Sequence, residues 1–228
     1  MEKAVVILSG GLDSTTCMGL AQAAGYEVYP LTFDYGQRHD IELACARKVA
    51  AHYKVKSHPV VKLDFLRQIG GSALTDENID VPHSGVATDE IPITYVPGRN
   101  LLFLSMAASY AEVIGATAIY IGVNALDYSG YPDCRPEFIE QVQKTLAVGT
   151  KAGVEGEPIR IETPLLHWTK AEIIQQGMAI DVPYELTTSC YEGKAEACGE
   201  CDSCRLRLKG FAEAGYQDPI PYRNLSSS

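Results

Sequence analysis

Leu8-Ser9-Gly10-Gly11-Leu12-Asp13-Ser14 separates two stretches of opposite character. Before it, Ala4-Val5-Val6-Ile7-Leu8 is a continuous apolar, β-branched run, the pattern of a buried strand in a parallel sheet. After it, Thr15 to Ala24 is rich in Ala, Leu and Met and reads as a helix. The loop therefore joins the C-terminal end of a strand to the N-terminus of a helix, the place where open α/β sheets bind ligands. Adjacent glycines allow a ligand to approach the backbone without meeting a Cβ. The first N–H groups of the helix are unpaired and carry the positive end of its macrodipole. Ser9 and Ser14 add hydroxyl donors. Together these parts make an anion cradle suited to phosphate. The bland alternative is an ordinary Gly-rich junction. The flanking serines, and Asp13 where a helix cap or metal contact would sit, argue against it.

The loop has no lysine, so it is not a Walker A sequence, and it is not Gly-x-Gly-x-x-Gly. Ser9-Gly10-Gly11-Leu12-Asp13-Ser14 resembles the pyrophosphate loop (PP-loop) of the ATP pyrophosphatase superfamily. That resemblance implies cleavage of ATP between the α and β phosphates, with adenylation of a substrate oxygen.

Composition bounds the remaining possibilities. A chain of 228 residues with 46% apolar and 21% charged residues can bury a sizeable core as one domain with a small appendage. The net charge of −10 disfavours broad electrostatic binding to nucleic acid, and no partner of that class is expected. No apolar run reaches the length of a membrane span. The first strand begins almost at residue 1, so no signal peptide is expected. Seven cysteines, four of them clustered, fit a reduced cytoplasm with a metal site better than a disulfide framework.

In chain order, Glu27 to Phe33 reads as a second parallel strand, and Asp34-Tyr35-Gly36-Gln37-Arg38-His39-Asp40 follows at the level of the phosphate loop. Its polar and aromatic groups could meet a nucleotide. Equally, Asp34-Tyr35-Gly36 could be a turn and Asp40 the cap of a helix from Ile41 to Tyr53. Cys45 in that helix reads as a small buried hydrophobe, and His52 as a partner for the helix dipole. Ser57 to Leu63 reads as a third strand and Asp64 to Ile69 as a short helix. Gly70 to Gly98 breaks the alternation and reads as a lid or substrate loop, or a partly disordered connection.

Leu101 to Ile114 is a long apolar helix, which puts Arg99 and Asn100 at its N-terminus. A cation beside the positive dipole end is mismatched unless Arg99 meets an anion, either a phosphate or a structural carboxylate. Thr117 to Val123 reads as a fourth strand. Between Asp127 and Arg135 stand two carboxylates, Tyr131, Cys134 and Arg135, ahead of a helix from about Glu137 to Val148. Asp127 and Asp133 could read the N–H edge of a heterocycle, and Arg135 could pair with a carboxylate. Cys134 could be a nucleophile, but nothing near it in sequence activates a thiol. Asp133 and Pro136 could equally just start the helix.

Pro158 to Ile161 reads as the last strand. Thr169 with Glu172 is a capping-box signature for a helix ending at Gly177, and Lys170 within it could reach a phosphate. Cys190, Cys198, Cys201 and Cys204 follow the pattern Cys-x7-Cys-x2-Cys-x2-Cys. Four thiolates at such spacing suit structural zinc, ahead of an iron–sulfur cluster or a redox Cys-x2-Cys pair. Asp202 to Ala214 reads as a helix that the metal would pin.

Beyond the loop, nearly the whole chain resembles the 7-cyano-7-deazaguanine synthase family. The resemblance is carried by Asp34-Tyr35-Gly36-Gln37-Arg38, Val96-Pro97-Gly98-Arg99-Asn100, the segment from Asp127 to Arg135, and the four cysteines in order. It implies a doubly wound, mostly parallel α/β sheet of the adenine nucleotide alpha-hydrolase-like, PP-loop type. That domain would span residues 1–184, with a zinc-binding segment and helix, 185–228, packed on it. It implies an ATP-dependent carbon–nitrogen ligase acting on 7-carboxy-7-deazaguanine and ammonia, with magnesium and one zinc per chain. It also implies a cytoplasmic homodimer. On this resemblance Leu8, Ser9, Gly10, Gly11, Leu12, Asp13, Ser14, Phe33 and Arg99 are assigned to ATP, with Asp13, Ser14 and Arg99 in the chemistry. Gln37, Arg38, Asp127, Tyr131, Asp133 and Arg135 are assigned to the deazaguanine. The metal ligands are Cys190, Cys198, Cys201 and Cys204. The rival readings are a tRNA-modifying superfamily member and a nucleotide-binding regulatory module.

Overall fold

The computed structural model describes residues 1–36, 41–76, 78–80, 91–126 and 130–223. Five strands, β1 (Lys3–Ile7), β2 (Glu27–Asp34), β3 (Val60–Lys62), β4 (Ala118–Tyr120) and β5 (Arg160–Glu162), form one sheet in the order β3-β2-β1-β4-β5. Every neighbouring pair is parallel. β1 is central, with Val5 opposite Tyr29 on one side and Ile119 on the other.

The apolar run that begins β1 serves both faces of the sheet, because successive side chains of a strand point to opposite sides. Ala4, Val6 and Leu8 pack against α1 (Leu12–Ala23), α2 (Ile41–His52), α7 (Lys170–Ala179) and α8 (Asp202–Ala214). Val5 and Ile7 pack against α4 (Arg99–Ile114) and α5 (Pro136–Gly149), with Leu66 of α3 (Asp64–Ile69) in the same cluster. α6 (Lys151–Val154) is a short helix after α5 that the sequence pattern did not signal. The chain winds outward from β1 to β3, then restarts at β4 on the other side. That reversal creates a crevice at the C-terminal ends of β1 and β4.

Several boundaries differ from the sequence expectation, each for a tertiary reason. α1 starts at Leu12, so Asp13 and Ser14 stand in its first turn. β4 is shorter than Thr117–Val123: Ile121 N–H still donates to Glu162 O at 3.1 Å, but the chain from Ile121 to Val123 turns to lining the crevice. α7 runs through Gly177 to Ala179 and does not stop there. A Cβ on Gly177 would lie 1.9 Å from Tyr184 Oη, so this glycine serves close packing rather than chain termination. The Thr169–Glu172 capping box forms as expected. In the long connection after α3, Glu77 and residues 81–90 lie outside the described residues. Its described flanks are packed: Ser72 and Ala73 are fully buried, and Ala73 N–H donates to Ile93 O at 2.9 Å.

Candidate active site

The phosphate loop is held by its own serines. Ser9 N–H donates to Ser14 Oγ at 3.1 Å, the two hydroxyls lie 3.0 Å apart, and Gly11 N–H donates to Ser9 Oγ at 3.2 Å. Ser14 Oγ and Thr15 Oγ1 both donate to Gly11 O, at 3.1 and 2.8 Å. Gly11 is the N-cap of α1 and offers no side chain to its N–H groups, so the end of the helix is left for an external acceptor. Gly10 adopts φ +86°, and a Cβ there would lie 2.4 Å from Glu42 O and 2.6 Å from Ala46 N. The first glycine is therefore required for the close approach of the loop to α2. Beneath the loop, a Cβ on Gly122 would lie 3.1 Å from Ser14 N, so the end of β4 runs directly against the start of α1.

Ser9, Gly11, Leu12, Asp13 and Ser14 line the crevice. Leu8 is fully buried in the core, and Gly10 is packed on α2; neither lines it. Phe33 lies beneath the surface, stacked on Phe103 at 4.1 Å, and it is Phe103 that lines the crevice. Asp13 is gripped by a residue that the sequence offered only as a phosphate contact. Lys170 Nζ at the start of α7 reaches its two carboxylate oxygens at 2.7 and 2.9 Å. Gly210 of α8 makes room for this lysine, since a Cβ there would lie 2.4 Å from Lys170 Cγ.

Arg99 opens α4 and lines the crevice opposite the loop. Its Nη1 lies 3.5 Å from Tyr35 Oη, and the guanidinium lies 5.8 Å from the Tyr35 ring centroid. Burial works against its charge, but Tyr35, Asp133, Tyr131 and Cys134 outweigh that and hold it firmly protonated. The mismatch of a cation at the positive helix end is met in part by Asp133, whose Oδ2 accepts Asn100 N–H at 3.0 Å. Asn100 Nδ2 donates in return to Asp133 O at 3.0 Å. Asp133 is thus a buried cap for α4 and is not part of the crevice lining; its Oδ1 has no hydrogen-bond partner among the described residues. Arg135 is exposed at the N-cap position of α5 and does not line the crevice. Tyr131 does line it, with its hydroxyl 2.6 Å from Thr94 Oγ1. Gln37, Arg38 and Asp127 lie outside the described residues.

Cys134 lines the crevice, but burial and the neighbouring Asp133 push its thiol up to about 12. It is a thiol at neutral pH and a poor nucleophile. Glu42, in the first turn of α2, is a crevice residue that sequence reasoning missed. Burial raises its carboxyl to about 7, with Arg99 pulling the other way. Nothing in the sequence marks it, because it is the crevice, assembled from distant segments, that takes its carboxyl partly out of water. Thr188, Ser189 and Tyr191, which the sequence left equally unmarked, form a further wall with Cys190, read from the sequence only as a metal ligand.

The four cysteines converge. Their sulfurs lie within 4.8 Å of one another, and all four residues are buried. Cys198 Sγ and Cys204 Sγ are 3.8 Å apart, which matches a tetrahedron with metal–sulfur bonds of about 2.3 Å. Backbone N–H groups of Glu200 and Cys201 point to Cys198 Sγ at 3.4 and 3.3 Å, and that of Cys198 points to Cys190 Sγ at 3.3 Å. Donors aimed at sulfur favour thiolates, so the residues fit a closed four-thiolate metal site.

A phosphate cradle at a switch point marks only a superfamily; the match of the whole chain decides further. The family model described as Queuosine biosynthesis protein QueC matches residues 3–215. The chain belongs to the QueC family. Among relatives of this QueC chain, a protein named 7-cyano-7-deazaguanine synthase from Oceanobacillus iheyensis is 61% identical over 221 residues, covering 97% of this chain and 98% of that one. A protein of the same name from Acetivibrio thermocellus is 60% identical over 223 residues, with the same 97% and 98% coverage. One from Coxiella burnetii is 53% identical over 224 residues, again covering 97% and 98%. The QueC fold is also seen in solved structures of low identity. A 4-thiouridine synthetase–RNA complex with bound ATP has a TM-score of 0.51 at 17% identity, covering 94% of this chain and 50% of that one. A predicted subunit of tRNA methyltransferase from Methanocaldococcus jannaschii has a TM-score of 0.50 at 16% identity, covering 98% and 94%.

Proposed function

We propose that this chain is an ATP-dependent ligase that converts 7-carboxy-7-deazaguanine and ammonia to 7-cyano-7-deazaguanine, a step of queuosine biosynthesis. The observation that carries the reading is the uncapped N-terminus of α1, furnished with Ser9 and Ser14, inside a chain of the QueC family.

A carboxylate resists attack by ammonia because oxide is a poor leaving group. ATP converts it to an acyl adenylate, with pyrophosphate leaving. Ammonia then displaces AMP and forms the amide. A second adenylation, on the amide oxygen, lets that oxygen depart with AMP and leaves the nitrile. The protein's task is to place the substrate oxygen in line with the α-phosphorus and to neutralise developing charge. The loop N–H groups and the hydroxyls of Ser9 and Ser14 take the phosphates. Arg99 faces them across the crevice as a clamp. Asp13, with its oxygens on Lys170, orders the first turn of α1. Tyr131 and the segment 127–135 are read as the deazaguanine side. Asp133, Gln37, Arg38, Asp127 and Arg135 are kept on that side by the family resemblance alone, since neither Asp133 nor Arg135 lines the crevice. No protein nucleophile is required, and Cys134 remains a thiol.

Magnesium would enter with the ATP phosphates, beside Asp13. Zinc would be held by Cys190, Cys198, Cys201 and Cys204, where it supplies a structural cross-link. The chain is further read as a cytoplasmic homodimer. None of the seven cysteines is in a disulfide, and α4 leaves Leu101 and Val113 exposed. Light scattering of the purified protein tests the dimer.

The deciding experiment is mass spectrometry of products after incubation with ATP, magnesium, ammonium and 7-carboxy-7-deazaguanine. Nitrile appearing with AMP and pyrophosphate is the expected outcome. ATP binding without nitrile, at full metal occupancy, would overturn the assignment and direct the search to other acceptors.

A further inference from the structure

The four-cysteine segment and the phosphate loop meet through a buried cation that the chemistry above does not use. Arg207 lies one turn after Cys204 on α8, with its side chain 1% exposed against Asp218 at 3%. Its Nε and Nη2 donate to the two Asp218 oxygens at 2.7 and 2.9 Å. On its other side, Nη1 donates to Thr187 Oγ1 at 2.7 Å and to Ser189 Oγ at 3.4 Å, and Nη2 donates to Tyr184 O at 3.2 Å. Thr188, held between those contacts, donates its N–H to Gly10 O at 3.1 Å. Its carbonyl lies 3.4 Å from where a Cβ on Gly11 would stand. Asp218 in turn accepts from Tyr222 Oη at 2.6 Å, and Tyr222 pairs with Ala197, the neighbour of Cys198.

A buried ion pair contributes little net stability compared with an apolar packing of the same volume; what it specifies well is geometry. A guanidinium is a rigid planar fork, which registers several acceptors at once. Here those acceptors belong to the C-terminal return of the chain and to the strip that touches both glycines of the phosphate loop.

We propose that Arg207 is a positioning residue for ATP. It fixes Thr187–Ser189 against Gly10 and Gly11, so that the cysteine-bearing segment forms a set wall of the nucleotide site. This rests on the reading of the loop as the phosphate site.

The test uses the purified full-length protein with its metal complement and two variants, Arg207→Lys and Thr187→Val. Thr187→Val removes one acceptor of Arg207, together with the bond that the Thr187 hydroxyl donates to Tyr184 O at 2.7 Å, and keeps shape and volume, so it decides the matter if Arg207→Lys fails to fold. Calorimetry measures binding of an ATP analogue with a methylene between the α and β phosphates, beside metal content, thermal unfolding and steady-state kinetics. The expected result for Thr187→Val is unchanged metal content, with the analogue Kd and the KM for ATP raised about tenfold. The KM for the carboxylate substrate stays unchanged. A merely structural role would lower the active fraction, and so kcat, at unchanged KM and Kd; that result overturns the proposal. An unmodified protein that does not bind the analogue overturns the phosphate reading and this inference with it. An unmodified protein that binds, beside folded variants of equal affinity, overturns this inference alone.

Discussion

Asp13 and Lys170 show how one residue acquires its role from another 157 positions away. The lysine ammonium is almost enclosed, with the pair 9% and 20% exposed, so removing the lysine strands the Asp13 carboxylate. Lys170→Ala is expected to destabilise the fold by about 2–4 kcal/mol, read by urea unfolding, and to slow pyrophosphate release. Asp13→Asn is expected to abolish pyrophosphate release in the standard assay; normal turnover would remove Asp13 from the chemistry. Glu42 makes a pH-dependent prediction. Its carboxyl titrates near 7 in the fold, against 4.5 ordinarily. The folded state therefore holds this proton more tightly than the unfolded chain does. The stability Glu42 contributes is complete below 4.5 and is lost as pH rises through about 7. Glu42→Gln is expected to flatten that part of the stability–pH curve, and an unchanged curve would show that its carboxyl is not so perturbed.

At the scale of elements, helix ends and helix crossings set the site. Asp133 reaches from the turn before α5 to cap α4, and in doing so steadies Arg99 at the helix start. Asp133→Ala is expected to destabilise by about 1.5–3 kcal/mol, the cost of a lost charge-assisted bond to a buried N–H. On the substrate reading it also weakens deazaguanine binding while sparing ATP; unchanged substrate affinity would leave only the capping role. Gly177 is the tightest point between α7 and the turn carrying Tyr184. Gly177→Ala is expected to lower the thermal midpoint through a clash worth about 1–3 kcal/mol. Tyr184→Phe in the same chain should recover part of it, because the hydroxyl is the nearest atom.

For the molecule as a whole, the cysteine segment ties the C-terminal helix to the sheet. Chelation is expected to lower the unfolding midpoint, with the four freed thiolates taking up protons as the metal leaves, followed by calorimetry and thiol titration. An iron chromophore in the purified protein would overturn the zinc assignment.

Much of this architecture was legible in the sequence. The β1–loop–α1 unit, the strand–helix alternation and the cysteine spacing are written in residues a few positions apart. Local periodicity and turn chemistry act over that same range, so the parallel fold and the cysteine cluster could be read directly. What the tertiary structure alone decided is which distant residues meet at the crevice. Lys170 on Asp13, Thr188 on Gly10, Glu42 within reach of the Arg99 charge and Asp133 turned to capping all depend on the order in which the strands lie side by side. Periodicity cannot encode that order, because it is settled by how the helices share the two faces of the sheet.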